Sequence, residues 1–398
     1  MSERAGGRIE VAETASGAML RRSSHLVLTL AFSLTGAGTV MLGVLLPVLA
    51  QAWHLSDSSA GLLFFLQFLG SSLGAVFTGA HRVRALLTGY SLLIASACAL
   101  AFTTQPFEYA VFFFWGLGLG MAMTATSLYI SDRSGDRRAA YLEQLNFAWS
   151  AGAMAAPLLL VHVLHTRNPR PLYFSFLGVF LLVALWIVAR EIGEPEPVDF
   201  RKPVADPLAS GSMAMAALVL LAMCAVGVES CLSGWLTTYS HRANLQDVTG
   251  GALATSLFWL GILVSRLASS TRLLAVLGRL RVLSGTLLGT AAAVALLIAA
   301  RHGLAIDAAA ALGGISIGPV YPLLLSYLLE RSPRGWIFAV AGMGSALFPW
   351  MTGALSQHLG SLRLGLIAPC TAAAAMVILR WVVLPHREAW SAASAVRS

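Results

Sequence analysis

The sequence predicts an all-α integral membrane protein whose twelve transmembrane helices form two pseudo-symmetric six-helix bundles. The 398-residue chain is 57% hydrophobic and only 11% charged, long apolar runs recur along it, and a polar stretch interrupts them at its midpoint. A soluble domain carries about 25% charged residues, and a disordered chain is polar and charged. The composition therefore excludes a disordered chain and argues against a soluble enzyme, because a soluble fold could not cover so much apolar surface.

Twelve apolar runs are long enough to cross a bilayer, which takes about 20 residues per helix. They lie at approximately 26–50, 58–80, 85–104, 108–131, 139–165, 171–190, 212–238, 248–270, 274–300, 303–329, 335–358 and 362–384. The first run is too long for the core of a signal peptide, so we interpret it as the first span.

The longest polar interruption divides the chain into two halves. Residues 191–210 contain four prolines and indicate a linker. We expect one six-helix bundle over 23–190, a second over 211–385, and short tails over 1–22 and 386–398.

The basic residues predict the orientation. Of the 26 Lys and Arg residues, the loops expected on the outer side hold only Arg167, Arg170, Arg242, Arg301 and Arg363. Basic residues concentrate in cytoplasmic loops, so both tails and the linker are predicted to be cytoplasmic. The net charge of +8 then reflects topology, and we expect no nucleic-acid partner.

An internal repeat supports two related halves. In the fourth span, Gly120 precedes the triplet 132–134 (DRS), and in the tenth, Gly318 precedes 330–332 (ERS) at the same spacing. The next span of each half carries Gly-x-x-x-x-Pro, at 152–157 and at 344–349. Parallel six-helix repeats are typical of transporters, whereas helix packing alone would explain the glycines but not their matched order.

Glu229 is the strongest candidate for a functional residue, because it lies within the outer half of the seventh span. A carboxylate at membrane depth is costly and usually faces a cavity or a partner. It would bind a hydroxylated substrate or a coupling ion; the alternative is a structural hydrogen bond to a neighbouring helix.

Other polar and aromatic side chains at membrane depth are candidates for lining a central cavity. Amides in hydrocarbon must find partners, and tryptophan offers a sugar ring an apolar face and an N–H donor. Interhelical hydrogen bonding and core packing are the alternatives. The predicted substrate-binding set is Gln67, Asn146, Trp149, Glu229, Trp235, Trp259, Tyr321 and Trp350.

Charged residues near the inner ends of the spans are predicted to form gating ion pairs that break as the halves move. These residues are Asp132, Arg133, Glu143, Glu330 and Arg331. For Glu143, a simple ion pair with Arg137 or Arg138 is the favoured interpretation. Pro319 and Pro322 interrupt the tenth span, because each removes a backbone hydrogen bond, and they suit a bending gate.

The sequence contains no Walker loop, zinc-ligand run, nucleophile elbow or dinucleotide fingerprint. We therefore expect no enzyme activity, no cofactor and no metal. Cys98, Cys224, Cys231 and Cys370 all lie within apolar runs and suit small buried side chains. The expected partners are the lipid bilayer, a small-molecule substrate and a coupling ion, and we expect a monomer.

The layout of the chain resembles the major facilitator superfamily over residues 20–390. Four segments further resemble the fucose:proton symporters and related bacterial sugar permeases. They are LNFAW at 145–149, VGVESCLSGWLTTYSHR at 226–242, GPVYPLLLS at 318–326 and GSALFPWMTG at 344–353. The resemblance implies hexose or deoxyhexose transport, coupled to protons or sodium, in a bacterial inner membrane.

The chain departs from these families at two places. The loop at 79–89 (GAHRVRALLTG) has the family's glycines and arginines but lacks its acid, and no carboxylate lies in the first span or the body of the fourth. Fucose symporters carry carboxylates there, so the coupling role passes to Glu229. A uniporter and an exporter of lipophilic compounds remain alternatives; a membrane-embedded enzyme would need a catalytic cluster, and none is visible.

Overall fold

The chain folds into helices throughout its described part. The computed structural model describes residues 22–79, 81–103, 106–134, 138–166, 168–190, 212–244, 248–269, 274–331 and 336–383. Their helices are α1 (Arg22–Ala52), α2 (Asp57–Phe77), α3 (Arg82–Phe102), α4 (Glu108–Arg133), α5 (Arg138–Thr166), α6 (Arg170–Arg190), α7 (Ser212–Asn244), α8 (Val248–Ala268), α9 (Leu274–Leu277), α10 (Arg279–Ala299), α11 (Gly303–Ile317), α12 (Val320–Arg331), α13 (Trp336–Leu359), α14 (Leu362–Gly365) and α15 (Ile367–Val383). The predicted linker and both tails lie outside the described residues.

These helices make twelve membrane crossings, because three crossings contain a break. The tenth is divided into α11 and α12 where Pro319 follows Gly318, as the two prolines predict. The short helices α9 and α14 precede the main helices of the ninth and twelfth crossings. Gly278, with φ of 78°, turns the chain from α9 into α10, a conformation that favours glycine.

Ten helical stretches of the described chain are long and apolar enough to cross a membrane. The helices α5 and α13 are not among the ten. They occupy equivalent places in the two halves, and both pack against the opposite half, α5 on α8 and α13 on α2. This packing places both helices at the boundary between the halves.

The two halves repeat the same packing. In the first half α5 packs on α1, and in the second α13 packs on α7. A Cβ on Gly152 of α5 would overlap the carbonyl of Ser33, and a Cβ on Gly344 of α13 would overlap that of Met223. The repeated glycines thus permit the same close backbone approach in each half.

A second pair of close contacts confirms the pseudo-symmetry. Gly116 of α4 lies against the backbone of Gln67 in α2, and Gly314 of α11 lies against the backbone of Phe258 in α8. Both pairs join the second and fourth crossings of their half. The fold is therefore the predicted arrangement of two pseudo-symmetric bundles.

The halves meet tightly at the end of the molecule that holds the α1–α2 connection, which we call the outer end, following the orientation predicted from the arginines. There Gly43 of α1 lies against the backbone of Gly234 in α7, and Gly61 of α2 lies against the backbone of Trp350 in α13. These contacts leave no room for a side chain larger than glycine. Because the helices of the two halves approach so closely here, the outer end is closed.

Candidate functional site

A buried ion pair occupies the C-terminal half near the middle of α7. Nη2 of Arg266 in α8 lies 3.4 Å from Oε1 and 3.3 Å from Oε2 of Glu229. An ion pair within a membrane-spanning region compensates two charges that would each be costly alone. The sequence predicts Glu229 as a site residue, and the structure supplies its cationic partner.

Arg266 connects Glu229 to two further structural features. Its Nη1 donates to Oγ of Ser150 at 3.0 Å, across the contact between α5 and α8. Its Nε donates to the carbonyl of Gly318 at 3.2 Å, where the tenth crossing is broken. The guanidinium group of Arg266 thus connects three partners in one network: Glu229, Ser150 of the opposite half and the carbonyl of Gly318 at the helix break.

The ion pair is not completely enclosed by the protein. About 15% of the Glu229 side chain and 24% of the Arg266 side chain remain accessible. Toward the inner end, Asn146 and Glu143 of α5 are exposed. These two lie on the same helical face as Ser150, which contacts the opposite half. We interpret this face as the lining of a passage that opens inward.

Two tryptophans from opposite halves lie beside the ion pair. The rings of Trp149 in α5 and Trp259 in α8 meet edge to face, with centroids 5.2 Å apart. Nε1 of Trp259 donates to Oγ of Ser233 at 3.1 Å. Within the described part of the chain, the buried Nε1 of Trp149 has no acceptor, so it is a donor suited to a substrate hydroxyl group.

Tyr321 completes the group of predicted residues that the structure brings together. It lies at the start of α12, directly after the helix break, and the negative charge of Glu229 acts on its phenol. The site therefore combines an ion pair, two indole rings and a phenol, contributed by α5, α7, α8 and α12.

Three predicted binding residues lie elsewhere. Gln67 is buried and donates through Nε2 to the carbonyl of Thr39 in α1 at 3.0 Å, within the N-terminal half. Trp235 is completely buried and donates to the carbonyl of Pro349 at 2.9 Å. Trp350 lies on α13, with its ring centroid 6.0 Å from that of Phe65 in α2. For Gln67 and Trp235 these contacts favour the structural alternative.

Two of the predicted gating residues, Asp132 and Arg133, form contacts within the N-terminal half. Asp132 of α4 accepts from Nε of Arg82 in α3 at 3.2 Å, so this ion pair joins two helices of the same bundle. Cζ of Arg133 lies 3.8 Å from the ring centroid of Tyr129, in its own helix. Glu143 is exposed. The side chains of Glu330, Arg331, Arg137 and Arg138 lie outside the described part.

At the outer end, the structure shows a cluster of polar contacts between the halves that sequence reasoning missed. Arg242 of α7 forms a bidentate ion pair with Asp57 of α2. Its Nη1 lies 2.8 Å from Oδ2 and its Nη2 lies 2.7 Å from Oδ1. Ser356 of α13 donates to the same carboxylate at 2.5 Å, and the Asp57 backbone N–H donates to Gln357 at 3.3 Å. Asp57 thus joins one helix of the N-terminal half to two of the other half.

Arg266 and the Asp57 network each have a signal in the sequence. Arg266 is a cation inside a span, and such residues pair with a buried acid. The sequence also has Asp57 at a helix start, where an acid is expected merely to cap the helix. Neither signal identifies the partner, because the partners lie 37 and 185 residues away along the chain.

Solved structures of transporters share this fold. A nucleoside transporter, NupG, has a TM-score of 0.68 at 12% identity, covering 90% of this chain and 97% of that one. The D-xylose–proton symporter has a TM-score of 0.67 at 17% identity, covering 89% and 96%. The fucose:proton symporter FucP of E. coli has a TM-score of 0.56 at 16% identity, covering 91% and 98%.

Comparison of the sequence with known families gives a direct assignment. No curated protein matches the chain. The profile of the Major Facilitator Superfamily matches residues 28–335, which is most of the chain. Together with the two pseudo-symmetric bundles, this match shows that the chain belongs to the Major Facilitator Superfamily of transporters.

Proposed function

We propose that the protein is a secondary active transporter that moves a hexose or related sugar by alternating access, coupled to protons or sodium. It would act as a monomer in the inner membrane of a bacterium, with both termini in the cytoplasm. The observation that carries this proposal is the Glu229–Arg266 ion pair, which lies beside two tryptophans at the junction of the halves.

The chemistry of the site supports a sugar as the substrate. A sugar ring presents C–H groups to an aromatic face and hydroxyl groups to polar side chains. Trp149 and Trp259 supply indole rings, Glu229 supplies acceptors, and Arg266 and Tyr321 supply donors. The fucose and xylose symporters share the fold, so hexoses and pentoses are the first compounds to test, with nucleosides as the next class.

The contacts of Arg266 support a role for Glu229 in coupling. An ion that binds to Glu229 weakens its attraction for Arg266, since the carboxylate charge is neutralised. Arg266 also bonds Ser150 of the opposite half and the carbonyl of Gly318 at the helix break. A change at Glu229 is therefore transmitted to the α5–α8 contact and to the tenth crossing.

The test is uptake of labelled sugars into proteoliposomes under a proton or sodium gradient. We expect Glu229→Gln to abolish ion-driven accumulation, because the amide carries no charge to be neutralised. Asp307→Asn is the matched control, since Asp307 is a half-buried acid in α11 of the same half. It should accumulate the sugar as the wild type does.

Unchanged, gradient-driven accumulation by Glu229→Gln would refute the coupling role. If no sugar or nucleoside is taken up, and overexpression instead protects cells against lipophilic compounds, then the exporter alternative is correct and the sugar proposal is wrong.

A further inference from the structure

A basic side chain in the last crossing is buried while two of its donors have no acceptor. Arg380, near the inner end of α15, is only 3% exposed. Its Nε and Nη1 have no hydrogen-bond partner among the residues that the structure describes. A guanidinium stays charged and has five N–H donors, and a buried charge is costly unless it is paired. These donors are suited to an anion.

The surroundings of Arg380 add a second cation. Its Cζ lies 4.1 Å from the ring centroid of Trp381, and its charge interacts with the phenol of Tyr327 in α12. On the same Tyr327 ring, Cζ of Arg279 from α10 lies 5.0 Å from the centroid. Arg279 of α10 thus contacts the ring of the buried Tyr327, and Arg380 of α15 is within electrostatic range of the same side chain.

Arg380 and Trp381 lie in the last turn of α15, three and two residues before its last residue, Val383. Ile378 and Trp381 of α15 are 65% and 51% exposed, as expected of side chains that face lipid. Tryptophan concentrates at the headgroup level of a bilayer. In addition, α15 packs against α7, α10 and α13 of its own half. An anion at Arg380 would therefore approach from the headgroup layer.

We propose that Arg380, with Arg279 and Trp381, binds the phosphate group of an anionic phospholipid in the inner leaflet. Guanidinium groups bind phosphate through paired charge-assisted hydrogen bonds. Basic pockets between transmembrane helices on the cytoplasmic side are suited to anionic headgroups. The apolar side chains beside Arg380 accommodate the acyl chains, which a free phosphate ion lacks.

The test is native mass spectrometry of purified protein that has been exchanged into detergent with phosphatidylglycerol, cardiolipin or phosphatidylcholine. We expect the wild type to retain the two anionic lipids, and Arg380→Gln to retain them at least about fivefold less, as loss of one juxtamembrane cation predicts. Arg190→Gln is the matched control, since Arg190 is the exposed last residue of α6; it should bind as the wild type does. Arg380→Lys should restore part of the binding.

Equal retention by the wild type and Arg380→Gln would overturn the proposal, as would equal retention of phosphatidylcholine and phosphatidylglycerol. Inorganic phosphate distinguishes a free anion from a lipid: displacement of both lipids by millimolar phosphate would overturn the lipid assignment, because the acyl chains would then add nothing to the binding. Size-exclusion chromatography of each variant checks that it is folded. The measurement needs no transport, so its failure leaves the proposed function separately testable.

Discussion

Arg266 is the residue on which the candidate site depends most. It bonds the acid of α7, a serine of the opposite half and a carbonyl at the helix break. The sequence could identify Glu229, because an acid in an apolar span is unusual. It could not identify this network, because the position of Arg266 along a span does not determine which helix it faces.

The ion pair has a measurable signature in stability. Replacing Arg266 by methionine leaves Glu229 buried without its partner, which costs about 3–5 kcal/mol. The double variant Glu229→Gln with Arg266→Met removes both charges, so we expect it to melt at a higher temperature than Arg266→Met alone. Thermal unfolding of the purified proteins measures this. A double variant no more stable than Arg266→Met would show that the two side chains do not stabilise each other.

At the scale of helices, composition and pattern predict most of the architecture. Long apolar runs directly indicate the membrane-spanning segments. The prolines of the tenth crossing correctly predict the break in its helix. The break at Gly278 and the short helix α14 are not evident, because both lie inside otherwise continuous apolar runs. The contacts between helices could not be predicted. Trp235 and Trp259 both lie in apolar spans, but Trp235 bonds the carbonyl of Pro349 and Trp259 bonds Ser233.

The repeated glycines are predicted to be essential for packing. Gly152→Leu and Gly344→Leu should each destabilise the protein by about 1–3 kcal/mol or more, because their side chains would overlap the backbone of the neighbouring helix. Gly178→Leu is the control, because its Cβ would meet open space on α6. The fraction of monodisperse protein in size-exclusion chromatography measures the effect. An equal loss of monodisperse protein in all three variants would contradict the packing role of Gly152 and Gly344, because it would show that leucine is poorly tolerated in any helix.

At the scale of the whole molecule, the two halves meet closely at the outer end, where Asp57 bridges them. This carboxylate contacts α7 and α13 across the boundary between the halves. The predicted gating residue Asp132 instead pairs with Arg82 inside one half. Sequence reasoning located charges near helix ends but could not say which of them bridge the halves, since that depends on how the bundles are docked.

Asp57→Asn should weaken the outer gate. Arg242 is 43% exposed, so we expect a modest effect of about 1 kcal/mol, or roughly a fivefold shift toward the outward-open state. Double electron–electron resonance between spin labels on Ala52→Cys and Leu359→Cys measures the separation of the outer ends. Cys98 and Cys370 are replaced by serine, since the other two cysteines are buried. Asp132→Asn is the control and should leave the distances unchanged. An identical distance distribution for Asp57→Asn would show that Asp57 does not hold the gate closed.

Cross-linking of the outer gate tests the central claim, alternating access of the two halves around the Glu229–Arg266 site, most directly. Asp57→Cys and Ser356→Cys replace two side chains that are in contact, so oxidation should join α2 to α13. With this bond formed, proteoliposomes should lose uptake of the labelled sugar that the wild type accumulates, and reduction should restore it. Equal uptake before and after oxidation, with the cross-link verified, would contradict transport by alternating access.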